Sequence, residues 1–395
     1  MKPTLDSHLS LVPIEIRKDK KHYIVEDLTS GEFYEMPEVC IDAIHLMNEG
    51  ASLGEIEQQL KVKYPDEEVD VFDFVEQLLE LQLVAEVDGF KVEIQENQKE
   101  VLGFLAISPK LGKFFFNRVT LILYALLFAL NILFFIIKPE LFPHFKDVFI
   151  FDLMVFNIPT WLVLSAVLVL IHEFGHILAM RSFKLPTRLE IGHRLFLVVL
   201  ETDMAQAWKL RSKDRNVLYL AGICFDSTIL FLALAGQLFF ADGSGIFLSF
   251  MKLAALDALM RMVYQCCFYM KTDLYYVFEN VTGAYNLMEN ASQLIREKLP
   301  LLRNNTHTEV VYASEKRTVL TYSIFYFIGV GLTILLFVGY FIPQLLFAVT
   351  DIQHCFGYGP SSPHFWNAVL SSFQLLIGVL LLLYSWRKKY VVNKD

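Results

Sequence analysis

Residues 160–180 read TWLVLSAVLVLIHEFGHILAM, a run of membrane-spanning length that carries two histidines and a glutamate. Ionisable groups in hydrocarbon are costly, so a cluster of them inside a span is expected to face the protein interior and mark a site. His172 and His176 are four apart and stack on one helix face, about a turn from each other. Two imidazoles so placed can grip one Zn²⁺ at ~2.0–2.1 Å. Glu173 sits beside the metal without ligating it, where it can take a proton from an activated water and pass it to a leaving amine. Gly175 lets another backbone approach closely.

The rest of the chain agrees with a membrane body. Over half of the 395 residues, 55%, are hydrophobic and 14% are aromatic, too apolar for an ordinary soluble enzyme. Apolar runs of spanning length occur at about 119–137, 160–180, 217–240, 246–270, 319–345 and 366–386. They predict an α-helical polytopic membrane protein of about six transmembrane helices. A shorter apolar stretch at 148–158 is either re-entrant or an extension of the second span. Basic residues cluster at 181–215, at 271–317 and after 387, whereas 241–245 and 346–365 have none. By the positive-inside rule both termini are then cytoplasmic.

Charge divides the chain in two. Residues 1–100 carry 24 Asp and Glu against 9 Lys and Arg, and the remainder carries 19 against 25. An acidic front without a broad basic surface makes nucleic acid an unsuitable partner. The first residues, MKPTLDSHLSLVPIEIRKDKKHY, lack the apolar core and cleavage site of a signal peptide, which again expects a cytoplasmic front. The five cysteines form no CxxC pair, so neither a disulfide framework nor a cysteine zinc site is expected. Cys355 and His354 fall in a Gly/Pro/Ser-rich stretch read as an outer loop, and His193, His307, His354 and His364 are read as ordinary.

Within residues 1–100, LVPIEIR, KHYIVEDL and TSGEFYEM read as short strands. Pro37 opens a helix that Gly50 stops, and Ser52 with Glu55 forms a capping box for a second helix. DVFDFVEQLLELQLV gives a third helix, and LVAEVDGFKVEI turns at Asp88-Gly89. The pattern predicts a small α+β, winged-helix-like N-terminal domain. Residues 101–118 read as a linker, 119–290 as the metal-bearing core, 291–317 as a cytoplasmic connection with one short helix, and 318–395 as two further spans and a basic tail.

Zinc needs a third protein ligand. Asp273 is the carboxylate near the end of the fourth run, at a depth compatible with His172. On residues alone it is a ligand, an interfacial cap or a partner of Lys271. Residues 187–202 have strand composition, and Gly192-His193 could make their turn, predicting a membrane-associated β-hairpin or a sealing interfacial loop. In the third run, Asp226 can orient a ligand histidine or act as a paired structural carboxylate; it is not counted as a ligand.

IHEFGH in a span followed by an Asp near the end of a later one resembles the site-2 protease family of intramembrane zinc metalloproteases. Thr272-Asp273-Leu274-Tyr275-Tyr276 resembles the peptide zinc metalloprotease branch, although the Asn, Pro and Gly residues of the wider family's NPxPxxDG motif are missing. YIVEDLTSGEFYEMPEVCIDAIHLMNEGASLGEIEQQL and FDFVEQLLELQLV resemble the PqqD-like leader-peptide recognition domain. The resemblance implies a zinc endopeptidase with His172, His176 and Asp273 as ligands and Glu173 as catalytic base and acid. It also implies a hairpin that binds an extended substrate along Leu189, Ile191, Phe196, Val198 and Leu200. A leader peptide would pair as a strand along Glu32, Phe33, Tyr34, Glu35 and Met36, beside the helix from about Asp70 to Leu81. The implied partners are the lipid bilayer, a precursor peptide under maturation, and a peptide exporter or modifying enzyme. Two other functions fit the residues: a regulated protease for a membrane-anchored regulator, and a non-catalytic export or immunity subunit with structural zinc.

Overall fold

The computed structural model describes residues 3–20, 22–65, 69–93, 103–194, 197–240, 245–284, 286–298 and 316–390. The chain divides into two compact units, one of residues 1–102 with 205–212 and one of 103–204 with 213–395. Residues 205–212, expected in the membrane core, group with the front.

In the first unit, β1 (Leu9–Leu11), β2 (Ile14–Asp19), β3 (His22–Asp27) and β4 (Phe33–Met36) precede three helices. These are α1 (Glu38–Asn48), α2 (Leu53–Lys63) and α3 (Val71–Glu80), and β5 (Val84–Val87) and β6 (Phe90–Lys91) follow. The stretch LVPIEIR, read as one strand, is two. The Val12 amide leaves the ladder to donate to the Leu83 carbonyl, and Pro13 has no amide to offer. Thus β1 joins β5 and β6, while β2, β3 and β4 form a separate antiparallel sheet. Ser52 and Glu55 make the expected capping box. Asp88 and Gly89 both take positive φ, as a tight hairpin turn with the strand twist requires. Val25, Ile44, Leu53, Ile56, Val75, Leu78 and Val84 close one core from both sheets and all three helices.

The second unit is helical apart from one hairpin. After α4 (Pro109–Phe115) come α5 (Arg118–Ile137), α6 (Met154–Ser182) and the hairpin of β7 (Leu189–Arg194) and β8 (Leu197–Thr202). Next are α7 (Ser212–Tyr219), α8 (Ala221–Phe239), α9 (Gly245–Tyr264), α10 (Asp273–Thr282) and α11 (Leu287–Lys298). The last helices are α12 (Lys316–Leu336), α13 (Ile342–Phe356) and α14 (Pro363–Tyr390). A π-helical turn, Phe337–Phe341, joins α12 to α13.

Among the described residues, five helical segments are long and apolar enough to cross a bilayer: 118–137, 154–182, 212–239, 317–356 and 363–381. They make this a membrane-embedded, mostly helical protein. The expected fourth span is α9, which has the length but carries Lys252, Asp257 and Arg261 and so falls outside that set. The stretch 148–158 partly extends α6, which begins at Met154. His354 and Cys355 belong to α13, not to an outer loop, because Pro343 sits near the helix start and the apolar pattern runs on to Phe356. The expected short helix of the 291–317 connection is α11, which begins earlier, at Leu287; residues 299–315 lie outside those described.

Two contacts fix α6. Pro159 inside the helix cannot donate to the Val155 carbonyl one turn earlier. The Gln374 side-chain amide donates to that carbonyl instead, at 3.1 Å, while the Val155 amide donates to Asn367 Oδ1 at 2.9 Å. At the other end Gly112 of α4 lies against the Leu178 carbonyl and Ser182 amide, where a Cβ would stand 2.5 Å from each. Between these points Leu168 of α6 packs with Leu230, Ala233 and Leu234 of α8 and with Ala254, Ala255 and Ala258 of α9. Small residues let these helices approach closely, which matters where hydrocarbon gives apolar faces no drive to associate.

Candidate metal centre

The metal-ligand spacing on α6 meets α8 at a glycine contact. A Cβ on Gly175 would stand 2.9 Å from the Ala221 carbonyl and 3.1 Å from the Phe225 ring, so the close approach expected of this glycine is real. A second glycine, Gly222, covers the imidazoles. A Cβ there would lie 2.3 Å from His172 Nε2 and 2.6 Å from His176 Nε2. No local pattern in the sequence marks Gly222 as part of this site.

Asp273 arrives through a break in the chain. After α9 ends at Tyr264 the backbone passes through a short 3₁₀ turn and a left-handed Lys271 (φ 50°), then restarts as α10 with Asp273 in its first turn. Gln265 holds it at two points. Its amide donates to Asp273 Oδ2 at 3.0 Å, and its carbonyl oxygen accepts from the Asp273 backbone amide at 2.9 Å. The aspartate read as ligand, cap or Lys271 partner therefore turns inward, while Lys271 pairs with Glu289 at 2.6 Å.

His172, His176 and Asp273 are all buried and converge. The two Nε2 atoms are 3.3 Å apart, and Asp273 Oδ2 lies 3.2 Å from one and 3.3 Å from the other. Each Nδ1 is spoken for: His172 by Asp226 Oδ2 at 2.7 Å and His176 by the Leu218 carbonyl at 2.8 Å. A carbonyl can only accept, so His176 carries its proton on Nδ1, and the Asp226 carboxylate asks the same of His172. With both rings neutral, their Nε2 lone pairs would face each other and a carboxylate oxygen. Three buried donor atoms at this spacing could hold a cation among them. A tetrahedral zinc with bonds of ~2.0–2.1 Å sets its donors about 3.3–3.4 Å apart, so the residues fit the metal in chemistry and in separation.

Beyond the donors lies a charged chain that the sequence analysis missed. Asp226, wholly buried, has its Oδ1 3.1 Å from Arg261 Nε, and Arg261 also bonds Asp257 one turn earlier on α9. Asp226 meets both alternatives open for it: it contacts the His172 ring and it is a paired carboxylate. Asp257 and Arg261, four apart in an otherwise apolar run, were the signal that could have found this chain.

Glu173 is buried beside the donors, and its Oε2 accepts a hydrogen bond from Thr202 Oγ1 at 2.7 Å. The hairpin spans the residues expected, but its turn does not. Gly192 and His193 lie within β7, paired with Val199 and Val198, and the strands close beyond Arg194 and Leu197. Gly192 is a strand glycine because the Glu201 carboxylate occupies the place of its Cβ. Leu189 lines an apolar cavity of about 340 Å³ with Phe104, Val167, Leu170, Phe174 and Ile177, a helix stripe other than that of the histidines. Ile191 is exposed, and Leu200, its cross-strand partner, is half-buried. The backbone of Val198 lies in β8, and Phe196 falls outside the described residues.

In the first unit, Phe33, Tyr34, Glu35 and Met36 form β4, one of the two edge strands of its sheet, with Glu32 just before it. Tyr34 donates to Glu32 at 2.6 Å and Met36 is buried. Burial and the Glu32 carboxylate push the Tyr34 hydroxyl well above its ordinary pKa, so it stays protonated and donates.

Comparison with known proteins found no matching family profile, no matching curated protein and no matching solved structure.

Proposed function

We propose that this protein is an intramembrane zinc endopeptidase that cleaves a ribosomally made precursor peptide, whose leader is held by the N-terminal unit. The observation that carries the reading is the buried triangle of His172, His176 and Asp273 donors with an unligated glutamate next to it. A purely structural zinc has no use for that further buried carboxylate.

Zinc bound there would supply the positive charge that polarises a peptide carbonyl and makes water acidic near neutral pH. Asp226 and the Leu218 carbonyl hold the imidazoles in the ligating tautomer. Glu173 takes the proton from the attacking water and returns it to the departing amine nitrogen, so one side chain serves both proton steps. An extended peptide laid along the hairpin would expose its scissile bond, which a helix would shield. β4 lies at one edge of its sheet, beside which a leader could add a strand. The positive-inside reading of the six expected spans favours cytoplasmic termini, on the side where such a precursor is made.

The test is cleavage of a quenched-fluorescent pool of random extended peptides by detergent-purified, zinc-loaded protein. Wild type should cut members of the pool, and Glu173→Gln should hold the same zinc and cut none. Equal cleavage by both, or none by wild type, contradicts the reading.

A further inference from the structure

We infer that Thr202 is a positioning residue for Glu173, aiming its carboxylate from the end of the hairpin. The inference rests on the proposed role of Glu173 as proton carrier.

Thr202 is the last residue of β8, buried, and pairs with Leu189 of β7. Its Oγ1 lies 2.7 Å from Glu173 Oε2 and 3.3 Å from the Glu173 main-chain carbonyl. A hydroxyl has one proton, and the shorter, charge-assisted contact takes it. An ionised carboxylate can only accept, so anchoring Oε2 leaves Oε1 as the oxygen available to an incoming proton. Without the anchor the glutamate can swing about its side-chain torsions, and a displacement of ~1 Å at a reacting group can cost about 100-fold in rate.

The residue type suits the task. Threonine is stiff at χ1 and favours strands, so the strand itself sets where the hydroxyl points. Valine has the same shape without the donor, and serine keeps the donor without the stiffness. Because the anchor belongs to the hairpin rather than to α6, a peptide that adds to the hairpin orders the same strand that aims Glu173. The effect of losing the hydroxyl should therefore fall on turnover rather than on peptide affinity.

The experiment compares wild type, Thr202→Val, Thr202→Ser, Glu173→Gln and the Thr202→Val/Glu173→Gln double variant, all full-length and zinc-loaded. A single peptide chosen from the cleaved pool is the probe. Thr202→Val should lower kcat on the order of 10- to 100-fold, with KM within about 2-fold and with unchanged zinc content and melting temperature. Thr202→Ser should recover most of the rate, and the double variant should match Glu173→Gln. Infrared difference spectra against Glu173→Gln isolate the Glu173 carboxylate band. That band should shift in Thr202→Val and not in Thr202→Ser. A wild-type kcat in Thr202→Val overturns the inference, as does a loss that serine fails to restore and that comes with lost zinc or stability. If the band shifts as expected but wild type cleaves nothing, the protease reading fails and takes this role with it.

Discussion

Asp226 Oδ2 sits 2.7 Å from His172 Nδ1, and on its other side Asp226 Oδ1 sits 3.1 Å from Arg261 Nε. One buried carboxylate thus faces the His172 ring, a proposed metal ligand, and a guanidinium. It fixes the ring's tautomer, while the arginine offsets the cost of its charge. Removing such a partner of a metal ligand weakens binding on the order of 10- to 100-fold. Asp226→Ala is expected to lose zinc to a competing chelator at correspondingly lower concentration. Asp226→Asn, which keeps an acceptor for Nδ1–H, should lose less. Equal zinc affinity in Asp226→Ala would remove Asp226 from the account of the site.

Gly222→Ala should abolish metal binding. In the middle of an ordinary helix this change gains about 0.8–1.0 kcal/mol. Here the new methyl would stand 2.3 Å from His172 Nε2, in the space between the rings and α8. Zinc content and melting temperature together check it: both should fall, against the propensity of the substitution.

Gln374→Leu should destabilise the membrane unit. It takes the donor from the half-buried Val155 carbonyl that Pro159 leaves without its helical partner, a loss of about 1 kcal/mol. Pro159→Ala restores an in-helix N–H. Thermal melts of the two single variants and the double should then show Gln374→Leu costing much less in the alanine background.

The pH dependence of stability should carry a signature of Glu279. Burial pushes its carboxyl up to about 7, against the opposing pull of the Tyr275 hydroxyl and the Leu287 amide. A raised folded-state pKa means the folded protein holds the proton more tightly than the unfolded chain. That contribution is complete below about 4.5 and is lost as pH rises through about 7. Glu279→Gln should flatten this part of the profile, with the difference from wild type growing in melts between those two pH values. Parallel profiles would rule the group out.

The sequence was most legible where one helix carries the chemistry. His172, Glu173, Gly175 and His176 lie within one turn of each other, so spacing alone defines their shared position. Asp273 stayed open because its inward turn depends on the left-handed Lys271 and on Gln265, neither of which leaves a periodic trace. Gly222, Arg261 and Thr202 act across helices or from a strand onto a helix, through contacts that no local pattern encodes. In the first unit, capping and turn residues marked the helices and the Asp88-Gly89 turn. The split at Pro13 was missed because apolar alternation continues across it, although the hydrogen bonding does not. The hairpin turn was misplaced for a related reason. Glycine was read as a bend, whereas Gly192 is there to make room for Glu201.

The account turns on whether the three donors hold a metal, and zinc K-edge X-ray absorption on the purified full-length protein measures that directly. The expected result is one zinc per chain, with a first shell of nitrogen and oxygen at ~2.0–2.1 Å, imidazole outer-shell scattering and no sulfur. His176→Ala should reduce the zinc to background. A sulfur shell at ~2.3 Å, which would point to the free cysteines, or a protein that takes up no zinc would contradict the account.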